Sequence, residues 1–202
     1  AGYGEGFHDA GYGQLGRKIE TDISDGVSTL AARGVIDAKR VCIVGSGLGG
    51  YSALAGVTLQ QGLYRCAVSI EGVTNLAELI DGSKVNSHGA NDTTRDLQAL
   101  VGVKSIFGTH LADLSPARQA AKADAPIQLI YKTAEPGLTS GQSEEMAAAL
   151  HRAGKPVETV VLPVDGDASE IEASRITTIK AVVAFVEKYN PPNPAPATQA
   201  KN

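Results

Sequence analysis

Four short apolar runs, separated by stretches of helical periodicity, leave this chain very few folds to adopt. They are RVCIV (40–44), CAVSI (66–70), IQLIY (127–131) and VETVVL (157–162). Continuous apolar runs of this length are typical of strands buried on both faces of a parallel sheet. The segments between them read as helices. In 17–34, Ile19, Ile23, Val27, Leu30 and Ala31 share one face, Lys18, Glu20, Asp22 and Asp25 fall mostly elsewhere, and Gly34 is a natural stop. Further helices are predicted over 51–62, 75–80, 93–101, 140–153 and 169–188, the last with an inward face of Ile176, Ile179, Val183 and Val186. The polar stretch 81–92 reads as loop. Strands alternating with helices imply an α/β fold, a mostly parallel sheet flanked by helices with right-handed crossovers.

The two ends of the chain break this pattern. The first 16 residues hold six Gly, so an irregular loop pinned by the aromatics Tyr3, Phe7 and Tyr12 is expected there. Residues 190–202 are Pro-rich without apolar period and read as a disordered tail, which leaves 1–189 as the domain. The chain opens Ala1-Gly2-Tyr3-Gly4 without an initiator Met, as a processed or truncated piece would.

Composition narrows the classes. A length of 202 residues suits one domain, and 43% hydrophobic against 20% charged residues excludes a disordered chain. A net charge of -4 argues against a nucleic-acid footprint, and no apolar run approaches the roughly 20 residues of a membrane span. Cys42 and Cys66 match no metal-ligand spacing and cannot build a disulfide scaffold. They read as small buried apolar residues in strands that neighbour each other.

The segment VCIVGSGLGGYSALA is a strand, a glycine-rich turn and a helix, and function is expected to sit there. It has two readings. Gly45, Gly47 and Gly50 satisfy the dinucleotide pattern G-x-G-x-x-G, and Glu71 stands 21 residues later where an acid would hold a ribose hydroxyl. Alternatively, the turn is the nucleophile elbow G-x-S-x-G, in which a Ser occupies a strained strand-to-helix apex. Here Gly47 holds the apex, flanked by Gly45 and Gly49. The adjacent Ser46 does not substitute readily, because only the apex side chain of an elbow projects into the site.

The stretches GYGEGFHDAGYGQLGRKIETDISDGV and RVCIVGSGLGGYSALAGVTLQQGLYRCAV resemble the catalytic domain of the prolyl oligopeptidase family of serine peptidases. SPARQA (115–120), APIQLIY (125–131), QSEEMAAALHRAGKPVE (142–158) and the closing helix extend the resemblance to about Pro194. It implies the α/β-hydrolase fold, of which about four strands, the C-terminal portion, would be present here. It also implies further strands before 17–34 and hence an uncovered edge on the strand at 41–44.

For chemistry the resemblance implies loss. The family elbow G-x-S-x-G-G-Y corresponds to Gly45–Tyr51, so Gly47 replaces the nucleophile. The family acid, in a pattern like H-G-x-x-D-x-x-V-P, falls on Glu135 within Tyr131–Thr139. The family base, in a segment like P-G-E-D-H, falls on Asp167 within Pro163–Asp167. Without a nucleophile no acyl-enzyme forms, and without an imidazole no group shuttles the proton. The backbone N–H of Leu48 could still serve as one oxyanion donor, while the family's second donor comes from upstream of residue 1. The resemblance therefore implies a serine-peptidase-like domain that is catalytically inactive. A non-catalytic ligand- or protein-binding domain, or dinucleotide binding through GSGLGG, are the alternatives.

Other candidates have plainer explanations. His8, His88, His110 and His151 do not stand at the base position and read as surface or structural residues. Asp165, Asp167, Glu170 and Glu172 begin like a calcium loop. However, Glu170 stands where the sharp-turn Gly belongs and Ile176 where the bidentate Glu belongs, so a solvated loop entering a helix is expected. Glu71, next to the elbow, would border the acyl site. No metal or cofactor is expected. The expected partners are a peptide-like small ligand, further copies of the chain or a larger chain, but neither nucleic acid nor membrane. The sequence assigns no compartment.

Overall fold

A computed structural model of the chain describes residues 2–86, 92–103, 111–132, 141–164 and 168–192. Its centre is a parallel sheet of four strands in the order β1-β2-β3-β4. These are β1 (Cys42–Ser46), β2 (Cys66–Ile70), β3 (Ile127–Lys132) and β4 (Val157–Leu162), within two residues of the apolar runs that predict them. All three pairings are parallel, as the helix-length connections require.

Seven α-helices are described: α1 (Glu5–Asp9), α2 (Lys18–Ala32), α3 (Leu48–Ala55), α4 (Leu76–Asn86), α5 (Asp92–Val101), α6 (Gln142–Arg152) and α7 (Ala168–Tyr189). α3 passes into a π-helical turn over Gly56–Gln60, and a 3₁₀ helix spans Pro116–Lys122. One face of the sheet packs Ile127, Leu129 and Ala67 against Leu54, Met146 and Leu150 of α3 and α6. The opposite face packs Cys66, Val68, Ile130 and Leu162 beneath Phe185, Ala181, Val182 and Val186 of α7. A third cluster gathers Tyr51, Leu76, Ile80 and Val101 around α4 and α5. No helix among the described residues is long and apolar enough to cross a membrane.

Several expectations are corrected. The first 16 residues contain a helical turn, α1, and the residue buried there is Leu15 rather than an aromatic. Tyr3 and Phe7 are 86% and 70% exposed and stack on each other at 5.3 Å between ring centroids. The short helix expected at 75–80 runs on to Asn86, into the stretch read as loop. β1 is not buried on both faces: it lies at one edge of the described sheet, with Val44 43% exposed.

The two long amphipathic helices follow their periodicity only in part. In α2, Ile19 and Val27 pack inward as expected, but the fully buried residue is Glu20, and Ile23 and Leu30 are exposed. In α7, Phe185 and Ser174 are buried, and Val186 packs inward as expected. Ile176, Ile179 and Val183 face outward instead. α7 carries apolar residues on more than one side, and periodicity cannot choose between its stripes.

Cys42 and Cys66 are not free thiols. They stand directly opposite each other in the β1–β2 register, with Cα atoms 4.7 Å apart, and form a disulfide. Parallel pairing without stagger brings their Cβ atoms to the same side of the sheet, within bonding reach.

Candidate active site

The turn between β1 and α3 is built by glycines with different reasons to be glycine. A Cβ on Gly45 would lie 2.0 Å from the Gly49 carbonyl oxygen, because the first turn of α3 crosses directly over β1. A Cβ on Gly50 would lie 2.7 Å from the Gly72 Cα and 2.8 Å from Ser69 Oγ, where α3 meets the segment leaving β2. Both positions exclude any side chain on steric grounds.

Gly47 is different. It sits between β1 and α3 at φ 57 and ψ -119, a conformation that L-residues adopt only under strain, yet a Cβ there would meet nothing within 4 Å. Its backbone fixes this geometry. The Gly47 N–H donates to the Ile70 carbonyl at 3.0 Å, and its carbonyl accepts from the N–H groups of Tyr51 at 3.1 Å and Val73 at 3.4 Å. The chain thus makes a sharp strand-to-helix turn whose apex points into open space and carries no functional atom. The N–H of Leu48 opens α3, where helix geometry leaves it without an intrahelical acceptor and the helix dipole favours negative charge.

Ser46, one residue before the apex, lies at the C-terminal end of β1 and lines a cleft of about 560 Å³ on the α7 side of the sheet. The cleft takes one residue or more from the end of every strand: Ser46, Ile70 with Glu71, Lys132 and Leu162. Ligands of open parallel sheets bind at these ends. Ile171, Arg175 and Ile179 of α7 form its other wall. Glu71 has φ 49, rare for a residue with a Cβ, and its N–H donates to the Ile130 carbonyl at 2.8 Å. Its carboxylate lies 3.7 Å from Lys132 Nζ, so it is held as one half of an ion pair at the cleft.

Beneath the turn, α3 is tied to α2 by a buried carboxylate. Glu20 is 2% exposed, and Ser52 Oγ donates to its Oε1 at 3.2 Å, while Oε2 meets no donor among the described residues. Burial raises its pKa above the ordinary carboxylate value. The backbone N–H of Glu20 itself, Ser52, and the N–H groups of Gly16 and Arg17 pull the other way. Tyr51 is fully buried beside it and donates its Oη to the Leu114 carbonyl at 2.8 Å. Burial, reinforced by the Glu20 charge, drives the Tyr51 phenol far above its usual value, so it stays protonated.

A second network joins the loop after β2 to α6. Gln142 Oε1 accepts the backbone N–H groups of Thr74 at 2.7 Å and Asn75 at 3.0 Å, and the Thr74 hydroxyl donates to the Gln142 carbonyl at 2.8 Å. Glu145 accepts from Asn75 Nδ2 at 3.1 Å and pairs with Arg118 at 3.2 Å. Burial and the Glu145 charge raise the pKa of Glu78 nearby.

Of the sequence-derived site residues, Gly45, Ser46, Gly47, Leu48, Gly49, Gly50 and Glu71 come together around the turn. Glu135 and Asp167 lie outside the described residues, as do Asp165, His88 and His110. His8 is exposed beside Asp9, at 3.3 Å, and His151 is exposed in the last turn of α6. Glu170 and Glu172 are exposed at the start of α7. Among the described residues no group of three or more His, Cys, Asp or Glu is placed to hold a metal. Sequence reasoning missed the Gln142 network and the buried Glu20. The only signal for the latter was its place at the third position of α2, where a carboxylate can reach back to free N–H groups.

Comparison with known proteins identifies the family. The model of the prolyl oligopeptidase family matches residues 1–191. Dipeptidyl peptidase family member 6 of Caenorhabditis elegans is 29% identical over 168 residues, which are 82% of this chain and 22% of that protein. Dipeptidyl aminopeptidase BIII of Pseudoxanthomonas mexicana is 27% identical over 166 residues, 82% of this chain and 24% of that one. The chain therefore spans about a quarter of the length of these relatives. Among solved structures, a puromycin-hydrolyzing peptidase of Mycobacterium tuberculosis superimposes with a TM-score of 0.83 at 23% identity, covering 97% of this chain and 29% of that one. The acylaminoacyl peptidase of Pyrococcus horikoshii gives 0.78 at 20% identity, covering 96% and 31%. Four parallel strands flanked by helices, a sharp glycine turn after β1 and a family match over nearly the whole length lead to one conclusion: this chain belongs to the prolyl oligopeptidase family.

Proposed function

We propose that this domain keeps the hydrolase fold of its family without the family's hydrolytic chemistry. One observation carries the reading: the apex of the elbow is Gly47, with open space where a side chain would stand. A serine hydrolase of this fold begins by attack of an apex hydroxyl on the acyl carbon. Gly47 has no oxygen to form that bond, so no acyl-enzyme follows. Ser46 lies on the α7 side of the sheet, in a cleft with Glu71 and Lys132, and none of the described residues lining that cleft is a histidine. By the family resemblance Glu135 and Asp167 take the positions of acid and base, and Asp167 cannot return a proton near neutral pH as an imidazole does. Removing the nucleophile or the base alone costs on the order of 10⁶ in turnover in a working serine peptidase, subtilisin. The test is turnover of Pro- and Ala-based chromogenic peptides alongside fluorophosphonate labelling. Turnover together with a labelled serine would end this reading.

What supports a binding role is the cleft at the strand ends, which joins Glu71, Lys132 and Arg175 to the apolar walls of Ile70, Leu162 and Ile171. A short peptide offers matching charges and side chains. Thermal-shift titration with unlabelled di- and tripeptides, each at millimolar concentration, tests it. An unchanged Tm throughout would remove the binding role and leave the loss of hydrolysis standing.

A further inference from the structure

The last turns of α7 lie over the disulfide that joins the starts of β1 and β2. Cys66 is fully buried there, and the partly buried Cys42 packs in the same cluster as Val182, Phe185, Val186 and Tyr189. The residues that lead into the two half-cystines also hold the helix end. Arg65, directly before Cys66, donates its Nε–H to the Tyr189 carbonyl at 3.1 Å. Arg40, two residues before Cys42, donates to the Pro191 carbonyl, and its own carbonyl accepts from Asn190 Nδ2 at 3.1 Å. The two lead-in segments are themselves joined, since the Arg65 N–H donates to the Val41 carbonyl at 2.7 Å. On the β4 side, Lys188 and Tyr189 both donate to Glu158 Oε1. The side chains of Lys188 and Glu158 are 59% and 40% exposed, so that ion pair contributes little in water.

We propose that the Cys42–Cys66 bond is a redox-operated clasp: oxidised, it keeps the last turns of α7 seated on the sheet, and reduced, it releases them while the strands stay paired. The bond fixes Arg40 and Arg65 relative to each other, so both reach the backbone of one helix end together. Without it the two lead-in segments move independently, and two thiols need more room beneath the helix than one S–S link does. The last fully buried residue of α7 is Phe185, so the turns beyond it depend most on this hold. The four strands keep their own ladders, and the opening is local. The reductant is a dithiol. One of its thiolates attacks a sulfur of the bond and forms a mixed disulfide, expelling the other cysteine as a thiolate. Its second thiol then displaces the remaining cysteine. The dithiol leaves as a disulfide, and its two electrons and two protons end on Cys42 and Cys66. A crosslink also stabilises by restricting the unfolded chain, but that effect leaves the fraying of one folded helix end untouched.

The experiment is amide hydrogen exchange of the whole chain without denaturant, oxidised and after reduction with dithiothreitol, the reduction being followed by mass after alkylation. The Asn190 amide donates to the Val186 carbonyl at 2.7 Å. It and the amides from Glu187 onward are expected to exchange at least about tenfold faster in the reduced protein. The amides of Ala153, Gly154 and Lys155 close the end of α6 on the other face of the sheet and are expected to keep their rates. The double variant Cys42→Ser with Cys66→Ser is expected to match the reduced protein, and Arg65→Ala to free the helix end with the bond intact. The reduced natural chain keeps the test open if a variant misfolds. An α7 end with one rate in both states, equal acceleration at the ends of α6 and α7, or unfolding of the entire domain on reduction overturns the proposal. A bond that dithiothreitol cannot open in the folded protein overturns it equally.

Discussion

The Gly47 N–H reaches the Ile70 carbonyl across 3.0 Å, fastening the turn after β1 to the end of β2. That bond holds the apex at φ 57 although no side chain needs the conformation. A serine at 47 therefore has room for its Cβ but bears the backbone strain, about 1–3 kcal/mol. Gly47→Ser is expected to fold with a Tm lowered by roughly 2–4 °C for each kcal/mol lost. Gly45→Ala drives a Cβ to 2.0 Å from the Gly49 carbonyl oxygen and is expected to lose more than about 3 kcal/mol or fail to fold. Thermal denaturation of the two variants side by side checks the contrast. Equal losses would mean that the apex is not as open as described.

The disulfide between Cys42 and Cys66 closes a loop across a separation of 24 residues, which in the chain-entropy model contributes about 3 kcal/mol. Ellman titration of the denatured, unreduced protein is expected to find no free thiol. Reduction, or the double variant Cys42→Ser with Cys66→Ser, is expected to lower the denaturation midpoint by a matching amount. Two titratable thiols in protein purified without reductant would contradict the pairing.

Glu20 gives the domain a pH signature. Burial raises its folded-state pKa above the unfolded value of 4.5, so the native state holds this proton more tightly than the unfolded chain. The stabilisation is fully present below pH 4.5 and is lost as pH rises through the folded pKa. Glu20→Gln removes that loss. The Tm difference between the variant and the parent is therefore expected to move in the variant's favour from pH 4.5 toward neutrality. A difference that stays flat, or moves the other way, would show that Glu20 is ionised in the fold without penalty.

Gln142 is 1% exposed and accepts two backbone N–H groups with one oxygen. Gln142→Ala leaves the Thr74 and Asn75 amides buried and unpaired, at a cost of about 2–4 kcal/mol. Faster exchange of those two amides, before any change in the β3 amides, is the expected readout. Gln142→Glu keeps an acceptor and is expected to restore their protection.

The strands were legible because a parallel sheet buries both faces of its inner members. CAVSI and IQLIY could therefore be read without an alternation to decode, and both land within one residue of β2 and β3. The elbow was legible because glycine spacing reports steric crowding, and Gly45 and Gly50 are crowded in the fold. Properties that depend on a neighbour were not legible. Cys42 and Cys66 look like any small core residue until the strand register sets them opposite each other. The stripe Ile176, Ile179, Val183 has a core period, but a rival stripe ending in Phe185 and Val186 takes the sheet. Glu20 falls off the apolar face that periodicity gives α2, yet the fold buries it against Ser52.

The loss of hydrolysis at Gly47 is tested most directly by the intact mass of the protein after exposure to excess fluorophosphonate, with Gly47→Ser treated in parallel. The predicted result is an unmodified mass for the natural chain. A single phosphonyl adduct on the natural chain, mapped to Ser46, with matching turnover of a chromogenic peptide, would contradict it.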